Sequence, residues 1–204
     1  MDASAPRTRI QEKNTAAILD AALEVFSQAG FRGATLDAIA RTAGLSKPNL
    51  LYYFASKEAI HVALLSGLLD LWLDPLRELD DLGEPVEEIV DYVLRKLEMA
   101  REFPRESKLF ANEIVQGAPR ILGIIEGPLK ALVDDKAALI RGWARDGRIA
   151  PVDPYHLIFS IWATTQHYAD FDTQVRGILG PGDGHFADAA GFLEHMFRSA
   201  LAPR

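Results

Sequence analysis

Thr35-Leu-Asp-Ala-Ile-Ala-Arg-Thr-Ala-Gly-Leu-Ser-Lys-Pro-Asn-Leu-Leu-Tyr-Tyr-Phe-Ala-Ser-Lys-Glu58 spells two short helices around a glycine turn and the start of a third. Leu36, Ile39, Ala40 and Ala43 share one helical face. Gly44 supplies the positive φ that a sharp inter-helix turn requires. Ser46 is placed to cap the next helix, and Pro48 suits its first turn, where a missing N–H costs nothing. Leu50 and Phe54 direct that second helix back at the first. Lys47, Asn49, Leu51, Tyr52 and Tyr53 are left nearer the surface. A helix-turn-helix sets such a second helix in the DNA major groove. An ordinary helical hairpin is the competing reading. The turn length, the short capped second helix, its hydrogen-bonding and aromatic surface and a further cap at Ser56 argue against it.

The charge is distributed to match. The chain of 204 residues carries a formal net charge of −7, which alone disfavours a nucleic-acid partner. Residues 1–57, however, hold seven Lys/Arg against five Asp/Glu, a net +2 that leaves −9 on the remainder. A basic head on an acidic body is expected where only the head meets phosphate.

Outward from this unit the chain reads as helix after helix, and the expected fold class is all-α. Residues 1–13 are polar and expected to be a disordered arm. A helix is expected over about 15–29, ended by Gly30, and a long one from Ser56 to about Leu79. Further helices are expected from Pro85 to Phe103, over 105–116, and up to Gly147 with a bend at Gly127-Pro128. Two more are expected over 154–171 and 185–201, with 177–184 a flexible loop. The expected division is a DNA-binding domain at 1–55 and a ligand-binding and dimerisation domain at 56–204.

Other chemistry is weakly represented. No apolar run reaches the ~18 residues of a membrane span. The N-terminus lacks a signal-peptide pattern and there are no cysteines, which suits a cytoplasmic protein. The five histidines lack paired metal-ligand spacing. Asp80-Asp81-Leu-Gly-Glu84 superficially resembles a magnesium-binding cluster, but its Gly and the following Pro85 place it in a loop. No nucleophile elbow, P-loop or dinucleotide fingerprint occurs. The expectation is a protein that is not an enzyme and uses no cofactor or metal.

Tyr155-His-Leu-Ile-Phe-Ser-Ile-Trp-Ala-Thr-Thr-Gln-His-Tyr-Ala-Asp-Phe171 stands out from the acidic body. Trp162, Gln166 and Ala169 share a face, with Phe159 a turn earlier. A Thr-Thr-Gln-His-Tyr run among apolar residues needs polar partners if buried. A second subunit or a polar ligand would serve equally on this evidence.

Residues 15–58 closely resemble the DNA-binding head of the TetR family of bacterial repressors. The likeness lies in Gly30-Phe31-x-Gly-Ala-Thr35, Ile39-Ala40, Ala43-Gly-Leu-Ser-Lys47, Leu50 and Tyr53-Phe-x-Ser-Lys-Glu58. The resemblance implies a double-stranded DNA operator, contacted by Thr35, Ser46, Lys47, Asn49, Tyr52, Tyr53 and Lys57. Among these, Lys47 and Asn49 would lie nearest base edges and Lys57 on phosphate. Leu97-Glu98, Gly117-Ala-Pro119, Leu129-Lys-Ala-Leu132 and residues 158–171 resemble a pyrimidine-responsive branch of that family. This implies a homodimer answering to a small effector such as uracil or thymine. Trp162 and Gln166 are its first expected contacts, with Thr165, His167, Asn112, Trp72, Phe110 and Tyr168 as further partners. The operator sequence does not transfer. A family member answering to an unrelated small molecule, or an all-helical enzyme, are the alternatives.

Overall fold

The computed structural model describes residues 9–203, so residues 1–8 of the expected arm lie outside it. Among the described residues there are helices and no strands. Helix α1 runs Arg9–Gly33, beginning inside the stretch expected to be disordered. Its early turns are anchored by side chains: Gln11 Nε2 donates to the Tyr52 hydroxyl at 3.3 Å and Asn14 Nδ2 to that of Tyr53 at 2.8 Å. Gly30, at φ 65°, leaves the helical conformation and breaks the last turn, as a residue without Cβ can do at little cost.

Three caps then punctuate the chain. The Thr35 hydroxyl accepts from Ala38 N at the head of α2 (Leu36–Thr42), Ser46 from Asn49 N at α3 (Lys47–Tyr53), and Ser56 from Ala59 N at α4 (Lys57–Arg77). Between α2 and α3, Gly44 takes φ 68° and Leu45 N bonds Ala40 O, which closes the turn. Leu50 is fully buried, as its spacing requires.

The body follows with α5 (Pro85–Glu102), α6 (Pro104–Val115), the short turn α7 (Leu122–Ile124), α8 (Lys130–Arg145), α9 (Pro154–Asp170), α10 (Asp172–Leu179) and α11 (Gly184–Leu201). The bend expected at Gly127-Pro128 is a π-helical turn, Ile125–Leu129, running straight into α8. Part of the expected loop 177–184 is instead the end of α10. Arg176 ties it down by donating to Asp172, Gly182 O and Asp183.

The apolar interior divides inside α4. Ile60, Leu64 and Leu65 join α1, α2 and α3, together with Leu109 and Ile121. Leu69, Leu73 and Leu76 join α5, α8, α9 and α11. Lys57–Arg77 is long and apolar enough to cross a membrane, with a mean hydropathy of 1.4, yet half of that window is buried within the protein. Its faces are spent on two cores. Helix α5 packs against both α9 and α11. Consequently Leu157, Ile158, Ile161, Leu193 and Phe197 are interior to this chain.

Candidate DNA-reading head and effector cavity

The outer surface of α3 carries Lys47, Pro48, Asn49, Leu51 and Tyr52, all exposed, with Tyr52 at 70%. Lys47 Nζ meets Asp37 Oδ2 across the turn at 2.9 Å, an exposed pair that a phosphate can displace. Thr35 and Ser46 are also exposed, though each hydroxyl already accepts a capping N–H and retains only its own proton to donate. Tyr53 is half-buried beneath Asn14. The Lys57 ammonium, expected on phosphate, donates to Phe31 O at 2.6 Å and Ala34 O at 2.7 Å, which leaves one N–H. It also lies 4.5 Å from the Phe31 ring centre, so α4 is bolted to the end of α1 by the group expected to hold phosphate.

That bolt continues into the body. The Arg120 guanidinium sits 3.6 Å from the Phe31 ring centre and donates to Glu113 at 2.8 Å, while Arg120 N bonds the other carboxylate oxygen at 2.9 Å. Glu113 is buried on α6. His61 Nδ1, on α4, lies 4.0 Å from the same carboxylate, with its ring edge-on to Phe26 and Phe31. Burial outweighs the attraction of Glu113, holding the imidazole pKa at about 4, so His61 is neutral and makes no ion pair at pH 7. Phe31, flanked by charge, thus joins head to body beside the apolar packing of Leu109 and Ile121.

Deeper, α4, α5, α6 and α9 enclose a cavity of about 60 Å³ lined by Leu69, Trp72, Leu73, Lys96, Phe110, Leu129, Trp162 and Gln166. A smaller space of about 10 Å³ shares Trp72, Lys96 and Gln166 and reaches Ser107. Trp72 and Phe110 meet edge to face at 5.4 Å. Trp162 donates its indole N–H to the buried Tyr92 hydroxyl at 2.6 Å, which fixes its ring in the wall. Of the eight expected effector contacts, Trp72, Phe110, Trp162 and Gln166 come together here.

The other four do not. Thr165 is fully buried, its hydroxyl donating to Ile161 O at 2.7 Å in its own helix. His167 is exposed and stacks on Phe171 at 5.1 Å. Tyr168 faces His185 and Phe186. Asn112 lines a separate cleft with Phe26, Arg105 and Lys108. Helical geometry explains the split, because residues 162 and 166 are neighbours on one face whereas 165 and 167 lie ~100° to either side of 166. Lys96, unanticipated, does line the cavity. Its signal was a lysine on the apolar face of α5, one turn after Tyr92 and one before Ala100.

A profile described as "Bacterial regulatory proteins, tetR family" matches residues 18–64, and one described as "YcdC-like protein, C-terminal region" matches residues 65–204. The chain belongs to the TetR family. This TetR-family chain is 51% identical over 174 residues to the HTH-type transcriptional regulator RutR of Escherichia coli K12, covering 85% of its own length and 82% of the relative. It is 28% identical over 139 residues to the regulator UidR of the same organism, covering 66% and 68%. Among solved structures, the regulator SCO4942 of Streptomyces coelicolor shares the fold at a TM-score of 0.74 and 21% identity, covering 93% of this chain and 98% of that one. AibR in complex with isovaleryl coenzyme A and operator DNA does so at 0.71 and 20%, covering 94% and 100%. The TetR-family chain is thus a ligand-responsive, DNA-binding transcriptional regulator and not an enzyme. Among the described residues, no group of three metal-ligating side chains converges.

Proposed function

We propose that this regulator is a cytoplasmic homodimeric repressor whose head, residues 1–55, reads an inverted-repeat operator and whose body, 56–204, answers to a small planar imide such as uracil or thymine. The observation carrying the effector is the cavity walled by Trp72 and Trp162 with Gln166 at its edge. A uracil edge alternates C=O acceptors with N–H donors, and a glutamine amide offers one donor and one acceptor at matching spacing. The Gln166 amide has no hydrogen bond to the described residues, so it is available for that pairing. The resemblance to a pyrimidine-responsive branch points to the same ligand class.

The lever is α4. Its first turn is bolted to Phe31 and Ala34, and its later turns line the cavity at Leu69, Trp72 and Leu73. A ligand preferring one placement of α4 shifts the population of head orientations by its differential affinity alone. Dimerisation would use what α9 and α11 leave outside the monomer core: Phe159 and Ala163 on one, Gly191 and Phe192 on the other. Phe192 is 63% exposed, a large apolar side chain in want of a partner. In the head, Asn49 and Lys47 would meet base edges, and Thr35, Ser46, Tyr52 and Tyr53 the backbone. Lys57 would reach phosphate with its remaining N–H.

Gel shifts with DNA flanking its gene, combined with calorimetry on uracil, thymine and uridine, test this reading. The free bases should bind at micromolar concentration and change operator affinity, while the ribosylated control should not. No retarded duplex at low salt would sink the operator reading. No base bound below millimolar would sink the effector reading.

A further inference from the structure

Lys96 is a charged side chain with nowhere to put its protons. It is 5% exposed, lines both the main cavity and its extension, and makes no hydrogen bond to any described residue. Its Nζ lies 5.4 Å from the Trp72 ring centre, a weak contact for a cation at that distance. Asp170 on α9 supplies the countercharge without an ion pair to Lys96, and its Oδ1 accepts from the Ser107 hydroxyl at 2.5 Å. Lys108 on α6, 3.9 Å from Asp172, also acts on Asp170. Burial lowers the Lys96 pKa to about 8, against a smaller opposing pull from Asp170, so the amine remains mostly protonated at pH 7. Burial likewise raises the Asp170 carboxyl. A desolvated cation without an acceptor is costly. Here it is aimed into the one space that Gln166 and Trp72 also face.

We propose that Lys96 selects the effector by charge: the cavity takes a planar cyclic imide that presents a strongly accepting or anionic ring oxygen to Nζ, with its imide edge on Gln166. This rests on the pyrimidine reading above and narrows it. Two side chains then divide the recognition. Gln166 reads the alternation of donor and acceptor, while Lys96 reads electron density on the oxygen, since a charge-assisted hydrogen bond is about twice as strong as a neutral one. A ring must make part of its own room. The main cavity has room for about two waters by liquid volume, and the four-carbon stem of Lys96 is the most pliable part of its wall.

The experiment is calorimetry of uracil and barbiturate, the same six-membered ring with a third exocyclic oxygen and anionic at neutral pH, on the wild type and Lys96→Met, together with thermal unfolding of both ligand-free proteins. The wild type should bind barbiturate at least tenfold tighter than uracil. Lys96→Met should lose that preference, weaken uracil about tenfold and barbiturate about a hundredfold, and melt at a higher temperature than the wild type. Unchanged affinity for both rings in Lys96→Met, accompanied by a lower melting temperature, would make Lys96 a mere balance for Asp170 and overturn the proposal. Equal wild-type affinity for the two rings would overturn it while leaving the pyrimidine reading intact. If neither ring bound the wild type below millimolar, both would fall.

Discussion

The head and the body use polar side chains in opposite ways. Around α2 and α3 they lie outside the apolar core, at the surface: Thr35, Ser46, Lys47, Asn49 and Tyr52 cap, pair or stand free in solvent. In the body they are inside: Glu113, His61, Lys96 and Thr165 are each at most 5% exposed. An exposed contact residue can change with little effect on folding, so the operator-reading surface is free to vary. A buried polar group is held within the packing, so changing it acts on stability as well as on whatever it contacts.

The sharpest way to break this contrast is to cut one ion pair in each region. Glu113→Ala removes the acceptor for the Arg120 guanidinium and backbone N–H in the interior, and should cost about 3–5 kcal/mol in urea unfolding. A cost below 1 kcal/mol would mean that the junction is wetter than its burial implies. The pH dependence of His61 comes next. Its pKa is below that of the unfolded chain, so its contribution is fully present above pH 6.5 and lost as pH falls through about 4. The loss should approach roughly 3 kcal/mol. The difference between wild type and His61→Gln, measured by denaturation from pH 7 to 4, isolates it, and parallel curves would refute it. In the head, Ser46→Ala should cost only about 1 kcal/mol through the lost cap on α3, read from the shift in the urea midpoint. Asp37→Ala, the exposed counterpart of Glu113, should change stability by less than about 1 kcal/mol. It should also free Lys47 and leave operator binding no weaker in a gel shift.

The same contrast decides what could be read from the chain before its structure. Caps, the Gly44 turn and the inward set Leu36, Ile39, Ala40 and Leu50 are local chemistry, so the head could be laid out nearly residue by residue. The early turns of α1 could not, because they depend on Gln11 and Asn14 reaching tyrosines some forty residues away. In the body, Trp162 and Gln166 were visible as polar and aromatic neighbours one turn apart. Thr165 and His167 were not separable from them without knowing how α9 is rotated on α5. Lys96 is not legible as a cavity residue in the sequence, because a lysine on an amphipathic helix normally carries its charge out to water. Here α4 and α6 close over it. The burial of the apolar faces of α9 and α11 was not legible either, because it depends on α5 packing between them.

The π-helical turn borders the candidate effector cavity. Leu129, its last residue, and Trp162 line both the inner cavity and an outer apolar groove of about 460 Å³ that opens beside Tyr155 and Phe159. Two side chains thus form the wall between solvent and the sensing site. One of them belongs to a helical turn with a surplus residue, a kind of backbone defect that recurs at functional sites. A ring entering the proposed site from this side would have to part that wall.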